Sequence, residues 1–74
     1  MKTLFECKTD GCRFEIKRIN NGFLIVIIGI CDANRGYHDA VYFRTPSDCW
    51  NQLVQFVVMG GGKVESEFND VCWG

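Results

Sequence analysis

The chain has 74 residues, enough for one hydrophobic core and too few for two. Apolar residues make up 47% of it and aromatic residues 14%, a composition that excludes an intrinsically disordered protein. The formal net charge of -1 lacks the basic excess that sequence-independent nucleic-acid binding requires. We therefore expect a single domain over residues 1–74 that binds no nucleic acid directly.

The longest apolar run covers residues 23–30 and is much shorter than the roughly 20 residues that cross a bilayer. The first residues also lack the apolar segment of a secretory signal peptide. These two features predict a cytoplasmic protein that makes no membrane contact.

Residues 4–17 predict a β-hairpin around Asp10 and Gly11, a dipeptide typical of a two-residue type I′ turn. Such a turn places Phe5 opposite Ile16. Because side chains alternate along a strand, the hairpin then has one apolar and one charged face. The apolar face holds Phe5, Cys7, Cys12, Phe14 and Ile16, and the charged face holds Glu6, Lys8, Arg13, Glu15 and Lys17.

Residues 23–31 form a β-branched run without a polar face, so they predict a strand that is buried on both sides. Its second face is expected to be covered either by the rest of the chain or by another chain. A homodimer through residues 23–31 is therefore one expectation for the oligomeric state.

Residues 37–44 alternate and predict a further strand, with Val41 and Phe43 inward and His38, Tyr42 and Arg44 toward solvent or a sheet edge. Residues 63–68 alternate in the same way and predict an edge strand.

A helix is predicted to begin at Thr45 and Pro46, since Thr caps helices and Pro is favoured at the first helical position. Glycines at 60–62 end it, and its apolar residues recur at helical spacing. Together these elements predict an α+β fold, an antiparallel β-meander of about four to five strands packed against one amphipathic helix.

The chain has five cysteines and no export signal, so free thiols are the expected state. A zinc site or a disulfide involving Cys7 and Cys12 is the alternative; the remaining cysteines are scattered, at Cys31, Cys49 and Cys72. Cys49 lies in the first helical turn, where the helix dipole would stabilise its thiolate. With a single histidine and no local catalytic motif, we expect neither catalytic residues, nor a cofactor, nor a metal.

The candidate partner-binding residues are aromatic and acidic, because aromatic side chains dominate interface hot spots and an acidic strip can bind a basic partner. Trp73 is expected either to hold the tail, residues 69–74, against the core or to contact a partner. The candidates are Tyr37, His38, Tyr42, Glu65, Glu67, Asp70 and Trp73.

In architecture, and over most of its length, the chain resembles small orphan proteins encoded by bacteriophages. The likeness lies in a hairpin followed by a strand that leads into one helix, carried by Phe14-Glu15-Ile16-Lys17, Asn21-Gly22-Phe23 and Tyr42-Phe43-Arg44-Thr45-Pro46. This class includes anti-CRISPR and other anti-defence inhibitors, which typically cover a surface of a host enzyme without catalysis. The resemblance implies a non-catalytic inhibitor or accessory factor that binds a host protein in the host cytosol. The alternatives are a protein that sequesters a nucleotide-like signal and a zinc-stabilised interaction module.

Overall fold

The computed structural model describes residues 2–74, which form one antiparallel sheet with a helix on one of its faces. The strands follow one another across the sheet in chain order, so the connections are hairpin-like and local. This architecture confirms the predicted α+β class. The elements are β1 (Lys2–Lys8), β2 (Cys12–Ile19), β3 (Gly22–Gly29), β4 (His38–Phe43) and α1 (Pro46–Met59), with 3-10 turns at Asp32–Asn34 and Phe68–Asp70.

The first hairpin has the predicted register, with Phe5 opposite Ile16. The predicted type I′ turn is wrong, because neither Asp10 nor Gly11 has a positive φ. Instead, the hydroxyl oxygen of Thr9 accepts hydrogen bonds from the N–H groups of Gly11 at 3.3 Å and Cys12 at 3.1 Å. A threonine side chain thus organises this turn, and no left-handed residue is needed.

The strand predicted from the apolar run is β3, which pairs with β2 on one side and β4 on the other. Its register with β2 places Ile19 opposite Gly22, which leaves a two-residue turn of Asn20 and Asn21. Both backbone edges of β3 are occupied. A homodimer through residues 23–31 would therefore have to use side chains on a face of β3.

Helix α1 begins as predicted, with the hydroxyl oxygen of Thr45 accepting a hydrogen bond from the N–H of Asp48 at 3.3 Å. It ends at Met59, and Gly61 follows with a φ of 82°, a conformation suited to glycine. The helix buries one apolar side against the sheet and so forms the core. The core comprises Cys49, Trp50, Leu53 and Val57 of α1, Phe14 and Ile16 of β2, Phe23, Ile25 and Ile27 of β3, and Val71.

The predicted strand at residues 63–68 is wrong. In the described part of the chain, no backbone hydrogen bond joins residues 63–67 to either edge of the sheet. The alternating pattern has another cause, because Val64 and Phe68 both pack against the core.

The last residues are held in place by an aromatic cluster around Trp73. The ring centroid of Trp73 lies 5.2 Å from Phe68, 5.4 Å from Phe23 and 6.2 Å from Trp50. Its indole N–H donates to the carbonyl of Phe68 at 2.9 Å, and the Arg18 guanidinium donates to the Trp73 carbonyl. The tail is thereby fixed to the helix side of the sheet.

Candidate protein-binding surface

The face of the sheet opposite α1 carries an unusual row of apolar side chains. Cross-strand pairing sets Leu24 beside Tyr42 and Val26 beside Ala40, and Ile28 continues the row. An antiparallel sheet covered on one side commonly shows polar side chains on its open side. We call Leu24, Val26, Ile28, Ala40 and Tyr42 the apolar strip.

The apolar strip is separate from the core. The helix and the residues of the tail pack into the core cluster, to which Leu24, Val26 and Ile28 do not belong. Val26 is nevertheless only 7% exposed, because it lies between Leu24 and Ile28 along its strand and faces Glu15 and Ala40 on the neighbouring strands. Leu24 and Ile28 are only partly buried, so apolar surface remains accessible on this face.

Tyr42 is held rigidly although it is 46% exposed. Its hydroxyl donates to the carbonyl of Asn21 at 2.6 Å, and its ring lies over Gly22. A Cβ at Gly22 would lie 2.7 Å from a ring carbon of Tyr42, so only glycine leaves room for this arrangement. An exposed aromatic that is already fixed loses little conformational entropy on binding. Tyr42 is therefore well suited to anchor a partner.

The other half of the same face is a network of ion pairs on β1 and β2. Arg13 lies 2.6 Å from Glu6 and 3.0 Å from Glu15, while Lys17 lies 3.3 Å from Glu15. The side chain of Glu15 is 13% exposed and that of Arg13 is 45% exposed, so the cations shield the central carboxylate. We call Glu6, Arg13, Glu15 and Lys17 the ion-pair row.

Two of the predicted partner-binding residues lie at this surface. His38 and Tyr42 are exposed and point to the same face of β4, with His38 opposite Ile28. Tyr37 is 49% exposed, but its position in the strand alternation directs it to the opposite face.

The remaining predicted residues follow α1 in the chain, and of these Asp70 and Trp73 lie in the tail. Glu65, Glu67 and Asp70 are exposed, and the carboxylate of Asp70 accepts a hydrogen bond from the N–H of Glu67 at 2.8 Å. Trp73 packs within the protein, as described above. The seven candidates thus do not form a single surface, and a partner role for the four residues after α1 stays a prediction.

The candidate partner-binding residues chosen from the sequence did not include Leu24, Val26, Ile28 or Ala40, although residues 23–31 were considered as a homodimer contact. The sequence does indicate an apolar second face, because residues 23–31 lack the apolar and polar alternation of a strand with one solvent-exposed face. Periodicity shows that the second face is apolar but does not show what covers it.

The expected stabilisation of a Cys49 thiolate by the helix dipole is wrong. Cys49 is fully buried, and burial raises the pKa of its thiol to about 12. The cause is loss of hydration on burial, which disfavours the charged form. Burial also raises the pKa of Cys7. Both thiols are therefore weak nucleophiles near neutral pH.

Cys12 and Cys31 contact the same amide side chain. The Asn34 amide nitrogen donates to the sulfur of Cys12 at 3.4 Å, and its oxygen accepts from the thiol of Cys31 at 3.0 Å. All five cysteines are free thiols. Within residues 2–74, no three His, Cys, Asp or Glu side chains lie close enough together to hold a metal ion.

An open depression of about 300 Å³ lies beside the ion-pair row, lined by Glu6, Cys7, Lys8 and Arg13. Three of these four residues are charged, whereas small-molecule pockets are lined mostly by apolar side chains. The depression therefore has few of the apolar side chains typical of a small-molecule site. In the part of the chain that the structure describes, no helix has the length and apolarity to cross a membrane.

The chain matches no family model, no curated protein and no solved structure. The functional argument therefore rests on the surface itself.

Proposed function

We propose that the protein is a non-catalytic binding factor, an inhibitor or accessory protein, that covers a surface of a partner protein with the helix-free face of its sheet. The observation that supports this proposal is the apolar strip. Its side chains lie outside the core cluster, and all of them except Val26 remain partly accessible. Exposed apolar patches rimmed by polar residues mark interaction sites.

The composition of the face matches the anatomy of protein interfaces. Covering a Leu or Ile side chain contributes about 1.5–3 kcal/mol relative to full exposure, and part of this remains available at Leu24 and Ile28. Tyr42 provides a fixed aromatic anchor, and the ion-pair row provides a charged rim. The face thus combines a small apolar centre with a polar border.

The resemblance to phage-encoded proteins suggests the class of partner. On that basis the partner is a bacterial defence enzyme, such as a CRISPR effector, encountered in the host cytoplasm. Binding of this kind inhibits by occupying a surface, so it requires no catalytic group on this chain.

The proposal is tested by two substitutions that place a charge in the strip and should destabilise the free protein only slightly. In Leu24→Glu the new carboxylate lies opposite Lys17, and in Ile28→Glu it lies opposite Arg13. Each charge therefore meets a cation in the free protein. In an interface the same charge would have to be buried, which is costly.

Met59→Glu is the matched control, because Met59 is an 81% exposed apolar residue on α1, away from the strip. The tagged wild-type protein and the three variants are used to capture proteins from bacterial lysate, and the affinity of any captured protein is then measured. We expect Met59→Glu to bind like the wild type and the two strip variants to bind at least about 100-fold more weakly. Equal binding by all variants, or a wild type that captures nothing, would refute the proposal.

A further inference from the structure

The two edge strands of the sheet differ in how they are protected from pairing with another strand. The register of β1 shifts between Thr3 and Phe5, and the strand carries Lys2 and Lys8. Bulges and lysines are the usual features that prevent edge-to-edge association. β4 is a regular six-residue strand with neither a bulge, nor a lysine, nor a proline.

The hydrogen bonds show which backbone groups of β4 face outward. The N–H of Gly29 donates to the carbonyl of Tyr37 at 2.9 Å. In an antiparallel pair, residues two apart direct their backbone groups to the same side. Asp39 and Val41 therefore direct theirs to β3, like Tyr37. His38, Ala40 and Tyr42 direct theirs away from the sheet.

One outward group is already occupied. The N–H of Ala40, in the middle of the strand, donates to the carboxylate of the preceding Asp39 at 2.8 Å. The second oxygen of that carboxylate accepts from the Tyr37 hydroxyl at 3.4 Å. The Asp39 side chain thus lies against the edge where a further strand would bind.

We propose that Asp39 caps the free edge of β4 and thereby prevents a second copy of the chain from pairing there. The excluded arrangement is a twofold antiparallel pair with Ala40 opposite Ala40 and His38 opposite Tyr42. This register uses all three outward-facing residues of each strand. It also needs the Ala40 N–H of both copies, and it brings two Asp39 carboxylates near the symmetry axis, where they repel each other.

A second copy of the chain is the partner that would fit the β4 edge, for two reasons. The arrangement is self-complementary, since each copy supplies the same three residues. A twofold axis perpendicular to the sheet also keeps the apolar strips of both copies on one face, where they would become continuous through Ala40 and Tyr42. Removal of the cap should therefore produce a closed dimer with a single eight-stranded sheet.

The test begins with Asp39→Ala, measured by light scattering after size exclusion over a range of concentrations. We expect the mass to rise with concentration toward twice that of the 8.5 kDa monomer. Asp39→Asn keeps an acceptor oxygen and should remain monomeric. Asp32→Ala should remain monomeric too, since it removes another exposed acid, which pairs with Arg35 at 2.8 Å.

A double variant tests whether the dimer depends on the outward N–H of Ala40. Asp39→Ala combined with Ala40→Pro lacks the outward N–H, and proline is tolerated where an edge strand faces solvent. This variant should return to a monomer. In the dilute monomer, amide exchange at Ala40 should be about tenfold faster in Asp39→Ala than in the wild type, because the variant lacks the hydrogen bond that protects this N–H.

The proposal is overturned if Asp39→Ala stays monomeric at every concentration, or if Asp39→Asn associates as strongly as Asp39→Ala. It is also overturned if the double variant still dimerises. None of these results depends on the proposed partner of the helix-free face. The Asp39 cap and the proposed function can therefore be refuted independently of each other.

Discussion

The two faces of the sheet use apolar side chains for different purposes. On the helix face, Ile16, Ile25 and Leu53 are fully buried between sheet and helix. On the other face, Leu24 and Ile28 are only partly covered and border the charged residues of β2. The first arrangement stabilises the fold, whereas the second leaves apolar surface available for a partner. Substitutions on the two faces should therefore separate stability from binding.

The largest expected contrast is the reactivity of a thiol in the core compared with one at the surface. At pH 8 a disulfide reagent should modify the exposed Cys72 at least about 1000-fold faster than Cys49, which reacts only when the structure opens. Mass spectrometry of labelled peptides gives both rates, and denaturant should make them similar. Fast labelling of Cys49 in the native protein would contradict its burial.

The raised pKa of Cys49 also predicts the direction of a pH effect. Its pKa is about 12 in the folded protein against an ordinary value of 9.0, so between these values the folded state holds a proton that the unfolded state has lost. This contribution to stability is complete below pH 9 and is lost as the pH rises toward 12. Urea unfolding over this range, with a Cys49→Ala variant as the reference, measures it.

The next contrast compares one leucine from each face. Leu53→Ala should lower the free energy of unfolding by about 3 kcal/mol or more, since it leaves a cavity in the core. Leu24→Ala should lower it by less than about 1.5 kcal/mol, because the side chain is partly exposed. Urea denaturation measures both. Equal losses would mean that the helix-free face contributes to the fold as much as the core does.

A substitution in the tail, which packs on the helix face, should lower the free energy of unfolding by a smaller amount. Trp73→Ala should cost about 2 kcal/mol, because the ring is partly buried against Phe23, Trp50 and Phe68. Cys72→Ala changes an exposed neighbour and should leave stability almost unchanged. An unchanged melting temperature in Trp73→Ala combined with lost partner binding would instead make Trp73 a contact residue.

The smallest effect is expected in the ion-pair row. Arg13→Gln removes the contacts to Glu6 and Glu15 but should shift the urea unfolding midpoint only slightly, since exposed ion pairs contribute little to stability. The difference from the wild type should shrink at 1 M salt, where screening is strong. A loss that is large and independent of salt would assign this row a structural role.

Local pattern was sufficient to predict the hairpin and the helix. The alternation of apolar and charged residues predicts one register for the hairpin, and the structure has it from Phe5 to Ile16, beyond which β1 bulges. The helix start was equally clear, because Thr45 and Pro46 each suit one position only. The turn type was not predictable from Asp10 and Gly11 alone, since the hydroxyl of Thr9 supplies an alternative set of hydrogen bonds.

The remaining features depend on contacts between distant residues. Alternation at Val64 and Phe68 cannot distinguish a paired strand from an extended segment that packs against the core. The apolar strip could not be predicted without the position of the helix, because the helix determines which face of the sheet stays open. To identify the cap at Asp39 one must know which residues of β4 direct their backbone groups away from the sheet. The hydrogen bonds show this, and a sequence pattern does not.

The attachment of the tail has a consequence for the order of folding. The strand pairs join segments that are neighbours in the chain, so little entropy is lost in closing the loops between them. The bond from Arg18 to Trp73 instead spans 55 residues. We therefore expect the sheet to form early in folding and the tail to dock late. In the native protein the tail should be the first segment to detach, and limited proteolysis should begin there while the four strands remain protected.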